Sequence, residues 1–459
     1  MQAAQLEILR NKLFYGLSRY TKSFPDFSIN EKFEMASPRR GRELLGEIKA
    51  SLEPDDEYLL YIHLPFCHLE CTFCNAAPRK TNGARMREYL EALLNEIDIY
   101  GETGVFEGRK LRAIFFGGGT PTIYSNAALE RILNKVRSYV TFADEFDITS
   151  EAHPEGLVKN DRLAELAQLG ITRISCGSQS FDSVVLRHAD RKSHEAQVRE
   201  VVERAKATGL LINVDMMVGL AGQTLANVQE DLDKLETMMP TSVEYMRHEI
   251  VNPLAMSILR DDSSLMVSDD ELFDMVLMTQ QWMDSHGYER NGGFVKEHFF
   301  PFRYHWLDEK PFLGVGARSR SYTKSMCFDT HEDLSVYHKL VEKRIPPVAR
   351  VMRLGHFEQM YRSLFLQLQL ARGLEIDRFQ RRFGVDPREE FSGLLELLGE
   401  CGCITVDDEA IKLTTIGKWF VEDVSCRVID EAVNQAGYSR EARRLPHAAG
   451  LKSLRVFQG

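Results

Sequence analysis

Three cysteines fall within eight residues, Cys67-x3-Cys71-x2-Cys74. Three thiolates can ligate three irons of a cubane cluster that normally takes four cysteines. Spacings this short let one loop wrap the cluster and leave the fourth iron open to a small molecule. Zinc is the alternative. It needs a fourth ligand, and the nearby His63 and His68 complete no standard zinc spacing. The chain has eight cysteines in all. Cys176, Cys327 and Cys426 read as buried small apolar residues, and the Cys401-x-Cys403 pair in a leucine-rich segment reads the same way. A disulfide framework is not expected in a chain of this length and kind.

Two further groups carry polar chemistry. Gly117-Gly118-Gly119-Thr120-Pro121 follows an apolar run, and glycines there let backbone groups approach a ligand closely. No Lys follows at the Walker spacing, so this is not a P-loop. Glu151, Gln179, Arg191 and Asp215 follow successive apolar runs. Together they can bind the amine, carboxylate and ribose of an amino-acid-bearing nucleoside, the Arg fork suiting a carboxylate. His248 and Glu249 are candidate proton-handling groups, or simply a polar strand end; no catalytic base is assigned.

The elements that must position these residues alternate. EYLLYIHLPF (57–66), Leu111–Phe116, Phe146–Ala152, Ile171–Gly177, Leu210–Gly219 and Ser242–Val251 read as strands. Met86–Tyr100, Asn126–Tyr139, Asp161–Leu169, His194–Thr208, Thr224–Met238 and Asp269–His286 read as helices. Strand–helix alternation at this spacing argues for parallel β/α units. Six strands predict a partial (β/α)6 barrel, with ligands gathered at the C-terminal ends of the strands. The cysteines, the glycine run, Glu151, Gln179 and Asp215 all lie at such ends.

The expected organisation is an N-terminal extension (1–56), the barrel (57–345), a smaller helical, winged-helix-like C-terminal domain (346–436) and a basic tail (437–459). Thr405–Leu413 reads as a small hairpin. Helices are expected near Glu7–Leu17 and Gly41–Ser51. A winged helix often binds DNA, but Glu389, Glu390, Glu396 and Glu400 accompany these helices, so a packing or lid role is expected.

The formal net charge of −11 provides no basic footprint for nucleic acid. No apolar run approaches the roughly 20 residues that span a bilayer, and the N-terminus lacks a signal-peptide core. A cytoplasmic protein without membrane or nucleic-acid partners is expected.

CHLECTFC is the radical S-adenosylmethionine (SAM) signature C-x3-C-x2-C. In order, YIHLPFCHLECTFC, FFGGGTPT, SCGSQSFD and NVDMMVGLAGQT resemble oxygen-independent coproporphyrinogen III oxidases and their relatives. The likeness extends to Arg19–Thr21 and to LTTIGKWF near the C-terminus. It implies a 4Fe–4S cluster on Cys67, Cys71 and Cys74, with SAM on the open iron. It further implies that Gly118 and Gly119 contact the SAM amino group, Arg191 the carboxylate, and Thr120, Glu151, Gln179 and Asp215 the rest of this cofactor site. Tyr61 would lie near the sulfonium, where an aromatic face favours a cation. In several relatives a second SAM binds, and Gly314, in the Phe312–Gly316 stretch, corresponds to part of that pocket. A donor such as flavodoxin or ferredoxin would supply the electron.

There is one departure. The oxidases resemble C-x3-C-x2-C-x-C, and Ala76 stands here at the last position. On that ground the expected reaction is one-carbon transfer, with a second SAM as donor for C-methylation or cyclopropanation of an sp2 carbon in a small molecule. The alternatives are oxidative decarboxylation of coproporphyrinogen III and haem carriage.

Overall fold

The computed structural model describes residues 3–14, 32–53, 57–76, 78–192, 194–250, 252–290, 294–295 and 300–437. Arg19–Thr21 and residues 438–459 of the basic tail lie outside the described residues.

Six strands run side by side in chain order, all parallel: β1 (Glu57–Leu64), β2 (Lys110–Gly118), β3 (Thr141–Ala152), β4 (Arg173–Gln179), β5 (Leu211–Val218) and β6 (Ser242–Arg247). The helices that follow them are α1 (Gly83–Glu102), α2 (Asn126–Arg137), α3 (Arg162–Gln168), α4 (Glu195–Thr208), α5 (Leu225–Met238) and α6 (Asp269–Ser285). In β1, Tyr58–Leu60 and Ile62–Leu64 are all buried, as expected for a strand covered on both faces. The helices start where polar caps precede apolar periods. Asn82 accepts from the N–H groups of Ala84 and Arg85, and Thr224 with Asn227 and Ser268 with Glu271 form capping boxes.

The sheet does not end at six strands. β7 (Phe312–Val315) lies parallel to β1 on its free side, and β8 (Arg320–Tyr322), β9 (Met326–Thr330) and β10 (Val348–Arg353) continue antiparallel. The alternation of apolar runs gives no sign of β7, which has four residues, one of them Gly314. Glu34–Met35 closes one edge against β10, and Phe294–Val295 pairs with β6 at the other.

Register fixes how the strand ends line up. Leu64 pairs with Gly118, Glu151 with Ser175, Gly177 with Asp215, and Asp215 with Glu244.

The C-terminal domain joins helices His356–Gln367, Ile376–Phe383, Ser392–Glu400 and Val421–Gln435 to a three-stranded sheet. Its hairpin pairs Ile404–Val406 with Ala410–Leu413, at the place expected. The domain packs onto the barrel. Arg247, the last residue of β6, donates to both oxygens of fully buried Asp423 (2.9 and 2.7 Å) and to Glu422 (2.9 Å). The same guanidinium lies 5.3 Å over the ring of Phe14. Phe14 also meets Phe273 of α6 and Phe420, at 5.1 and 6.3 Å between centroids. The two ion pairs of Arg247 and one aromatic cluster thus tie the N-terminal segment, α6 and the C-terminal domain together.

Removing one partner of a buried pair leaves an uncompensated charge, which costs about 3 kcal/mol or more. Asp423→Asn, which leaves Glu422 on Arg247, is therefore expected to lower the urea midpoint by less than that equivalent; an unchanged midpoint would show that the Asp423 pair contributes nothing to docking.

Candidate functional site

β1 runs through Pro65 into the cysteine loop. Phe66–Cys67 pairs in parallel with Arg79–Lys80, so the loop closes on itself. Thr72 anchors it to the turn before Arg191: its N–H donates to the Ala189 carbonyl (3.1 Å) and its hydroxyl to that of His188 (3.2 Å). Cys67 Sγ lies 3.1 Å from Thr120 Oγ1. All three thiols are free.

The glycine run lies directly against this loop. Gly119 N–H donates to the Leu64 carbonyl and Thr120 N–H to that of Phe66, each at 2.9 Å. A Cβ on Gly119 would come within 2.2 Å of the Phe66 carbonyl oxygen, so only glycine allows the approach. Gly118, at φ +105°, faces the His63 ring, and its N–H donates to Glu151 Oε2 (3.0 Å).

The later strand ends complete the site. Ser175 and Asn213 both donate to Asp215, the former at 2.8 Å. Arg191 donates to the Gly177 carbonyl and, at 3.5 Å, to Cys71 Sγ; its guanidinium lies 5.8 Å from the Phe73 ring centroid. Gln179 adopts φ +78° at an irregularity in the β4–β5 pairing. Tyr61 stacks on Phe115 (5.9 Å, 20°), and its hydroxyl lies 3.2 Å from His63 Nδ1. Gly314 pairs with Tyr61 across β7 and β1, and a Cβ there would strike the Arg320 carbonyl at 2.3 Å. His248 and Glu249 lie just past β6: His248 is buried with Nδ1 3.2 Å from the Gly219 carbonyl, and Glu249 accepts from Asn75 Nδ2 at 3.3 Å.

Burial sets the electrostatics. It pushes the Glu151 carboxyl up to about 8, with Asp215 adding repulsion, and pushes Asp215 up to about 7, with Glu244 adding to it. It lowers His63 to about 3, helped by Arg318. Burial also raises Cys71, against the Arg191 charge, and lifts Cys74 to about 11. A site of buried thiols and half-neutral carboxyls suits a ligand that brings positive charge, as metal ions do for thiolates.

The polar atoms left over point the same way. Gln179 Oε1 and Arg191 Nε are buried without a partner, as is His153 Nε2. Buried polar groups are otherwise nearly always paired, so a bound polar molecule is the natural partner. Among the described residues no three His, Cys, Asp or Glu side chains are arranged to hold a single ion. The thiolates of a cubane each bind a different iron. The donor set and the unpartnered atoms fit a three-cysteine cluster carrying a polar ligand.

Sequence reasoning missed three residues here, Arg318, Asn252 and His153, and weighed His63 only as a zinc ligand. Arg318 donates to the Asn75 and Ala76 carbonyls at 3.1 and 3.0 Å, and Asn252 to the Cys74 carbonyl at 2.8 Å. His153 and His63 line the same region. Arg318 and Asn252 reach the loop from far along the chain, and no local spacing signals that.

Comparison with known proteins decides the family. Residues 61–235 match the radical SAM superfamily, and residues 354–420 match the HemN C-terminal domain. Residues 61–235 are a radical SAM domain. It is 29% identical to the heme chaperone HemW of Lactococcus lactis, over 70% of this chain and 84% of that protein. It is 22% identical to the oxygen-independent coproporphyrinogen III oxidase of Salmonella typhimurium, over 95% of this chain and 97% of that protein. The fold is that of the Escherichia coli coproporphyrinogen III oxidase HemN, a radical SAM enzyme, with a TM-score of 0.76 at 20% identity over 93% of this chain and 98% of the other. A radical SAM enzyme of this HemN-like group uses a 4Fe–4S cluster and SAM. Among the described residues no helix is long and apolar enough to cross a membrane.

Glu151 gives a pH test on the cluster-free protein. Its folded-state value near 8 lies above the unfolded value, so the folded state keeps a proton that the unfolded state has released. Stability is then lost as pH rises from about 4.5 through 8. Glu151→Gln should leave the melting temperature unchanged near pH 4 and raise it increasingly towards pH 8. A gain independent of pH would remove the burial argument.

Proposed function

We propose that this radical SAM enzyme abstracts hydrogen from a carboxylate-bearing side chain of a porphyrinogen, as an oxidative decarboxylase of the coproporphyrinogen III type. The observation that carries this reading is the span of the likeness. The Salmonella oxidase aligns over 95% of this chain, whereas the Lactococcus chaperone aligns over 70%.

When bound and reduced, the cluster and SAM supply a 5′-deoxyadenosyl radical that takes a hydrogen atom from the substrate. The protein's part is binding, orientation and exclusion of water. Cys67, Cys71 and Cys74 would hold the irons. The Gly118 and Gly119 N–H groups are already engaged within the fold. Their carbonyls therefore suit an ammonium, which needs acceptors. Arg191 offers a fork for the SAM carboxylate, and its unpartnered Nε supports that use. Gln179, Glu151 and Asp215 would bind the remaining polar groups, with Thr120 steadying Cys67 and Tyr61 presenting its ring towards the sulfonium. Burial holds Glu151 and Asp215 near neutrality, so each can donate as well as accept.

Ala76 favours a second reading, the one-carbon transfer expected from the sequence, with a second SAM near Gly314. The haem chaperones and oxidases found as relatives lend that reading no support.

Two experiments test this. Arg191→Ala should weaken SAM binding to the anaerobically reconstituted protein by roughly 10- to 100-fold, the worth of a charged hydrogen-bonded pair; calorimetry giving wild-type affinity would remove Arg191 from the site. The reaction is tested with SAM, dithionite and coproporphyrinogen III, following 5′-deoxyadenosine, S-adenosylhomocysteine and carbon dioxide by mass spectrometry. Porphyrinogen-dependent carbon dioxide is expected. S-adenosylhomocysteine without carbon dioxide would instead favour one-carbon transfer, and stoichiometric haem binding without turnover would favour a carrier.

A further inference from the structure

We infer that Arg318 is a positioning residue that sets the reduction potential of the cluster through the peptide unit joining Asn75 to Ala76. Arg318 sits on the turn after β7, far from the cysteines in sequence. Its two terminal nitrogens donate to the carbonyls of Asn75 (3.1 Å) and Ala76 (3.0 Å). The Cys74 carbonyl is taken by Asn252 at 2.8 Å. Three consecutive carbonyls, beginning with that of the last cysteine, are thus held by side chains from two distant segments.

Covalent geometry makes the Asn75 contact reach the metal ligand. In a trans peptide the carbonyl and the following N–H point in opposite directions. The Asn75 carbonyl faces Arg318, and the N–H at the other end of that unit, from Ala76, lies close enough to the Cys74 thiol to counter the burial that pushes its pKa up. One peptide therefore bridges a guanidinium and a cluster sulfur. The positive charge polarises it and strengthens the N–H donor. Hydrogen bonds to cluster sulfurs and nearby charge are main determinants of iron–sulfur potentials. A donor aimed at the sulfur favours the reduced, more negative cluster.

The backbone of Arg318 is itself fixed for this task. It holds φ +68°, a conformation that side chains other than glycine seldom adopt, between Gly316 and Ser319. The neighbouring Ala317 N–H donates to Tyr89 Oη (2.9 Å), and Tyr89 donates to the His63 carbonyl (2.7 Å). The turn is thereby tied to β1, which carries the cysteine loop. Ala76 occupies the position where the resembling oxidases carry a further cysteine, so a backbone clamp stands where they place a thiol.

The inference rests on the cluster being held by the three cysteines, and not on the choice of substrate. It is tested by reconstituting wild type, Arg318→Met and Arg318→Lys anaerobically, measuring iron content, and titrating the cluster electrochemically with EPR detection. Both variants keep the three cysteines, so four irons per chain are expected. Arg318→Met should lower the ratio of reduced to oxidised cluster at a fixed potential by about tenfold, which is about 59 mV for one electron. Arg318→Lys, which keeps the charge but not the double clamp, should fall between. A fully loaded Arg318→Met with the wild-type midpoint would overturn the inference. If Arg318→Met does not retain iron, Arg318→Lys decides, and a loaded Arg318→Lys at the wild-type midpoint would overturn it equally. Failure of wild type to take up a cluster would instead count against the three-cysteine site.

Discussion

Parallel strands must all end on the same side, and here those ends meet in a place too dry to satisfy the charges they carry. Strand register sets Glu151 on β3 beside Ser175 and Asp215 on β5 beside Gly177, two residues further along β4, and burial pushes both carboxyls up towards neutrality. Arg191 enters from the loop after β4 and reaches Cys71 and the Gly177 carbonyl. The barrel walls fix these positions, so the site cannot relax by moving apart. The remedy for unpaired atoms on Gln179, Arg191 and His153 is a polar ligand with its own charge.

The cysteine loop depends on that same floor. It crosses the strand ends and is held at its entrance by Gly119 and Thr120, in its middle by the backbone around Ala189, and at its exit by Asn252 and Arg318. The close approach of Gly119 to Phe66 gives the glycine run a packing purpose beside any contact with ligand. The C-terminal domain enters the same design from the far edge. Its buried Asp423 pairs with Arg247, one residue before His248 and two before Glu249, so docking of the domain and placement of the last strand end are one event.

Much of this arrangement is legible in the sequence, for physical reasons. The six strands and six helices follow from apolar runs and capping residues, whose signals are local, and their bounds agree to within a few residues, β3 excepted, which begins at Thr141. The cysteine triplet, the glycine run and the four polar strand-end residues are visible because parallel topology places successive strand ends together. β7 to β10 were not legible, since their short strands lack sustained alternation. Arg318 and Asn252 were not legible either, because a side chain bound to a distant backbone carbonyl leaves no trace in spacing. The departure at Ala76 was plain in the sequence, but the structure alone shows its carbonyl held by Arg318.

The central claim is a three-cysteine cluster whose open iron takes SAM at the strand ends. EPR of the dithionite-reduced, reconstituted protein, recorded with and without SAM, tests it most directly. The account predicts a reduced 4Fe–4S signal that changes in g-values and line shape when SAM is added, and that is lost in Cys71→Ala. A cluster signal indifferent to saturating SAM, or tight zinc binding with no cluster at all, would contradict it.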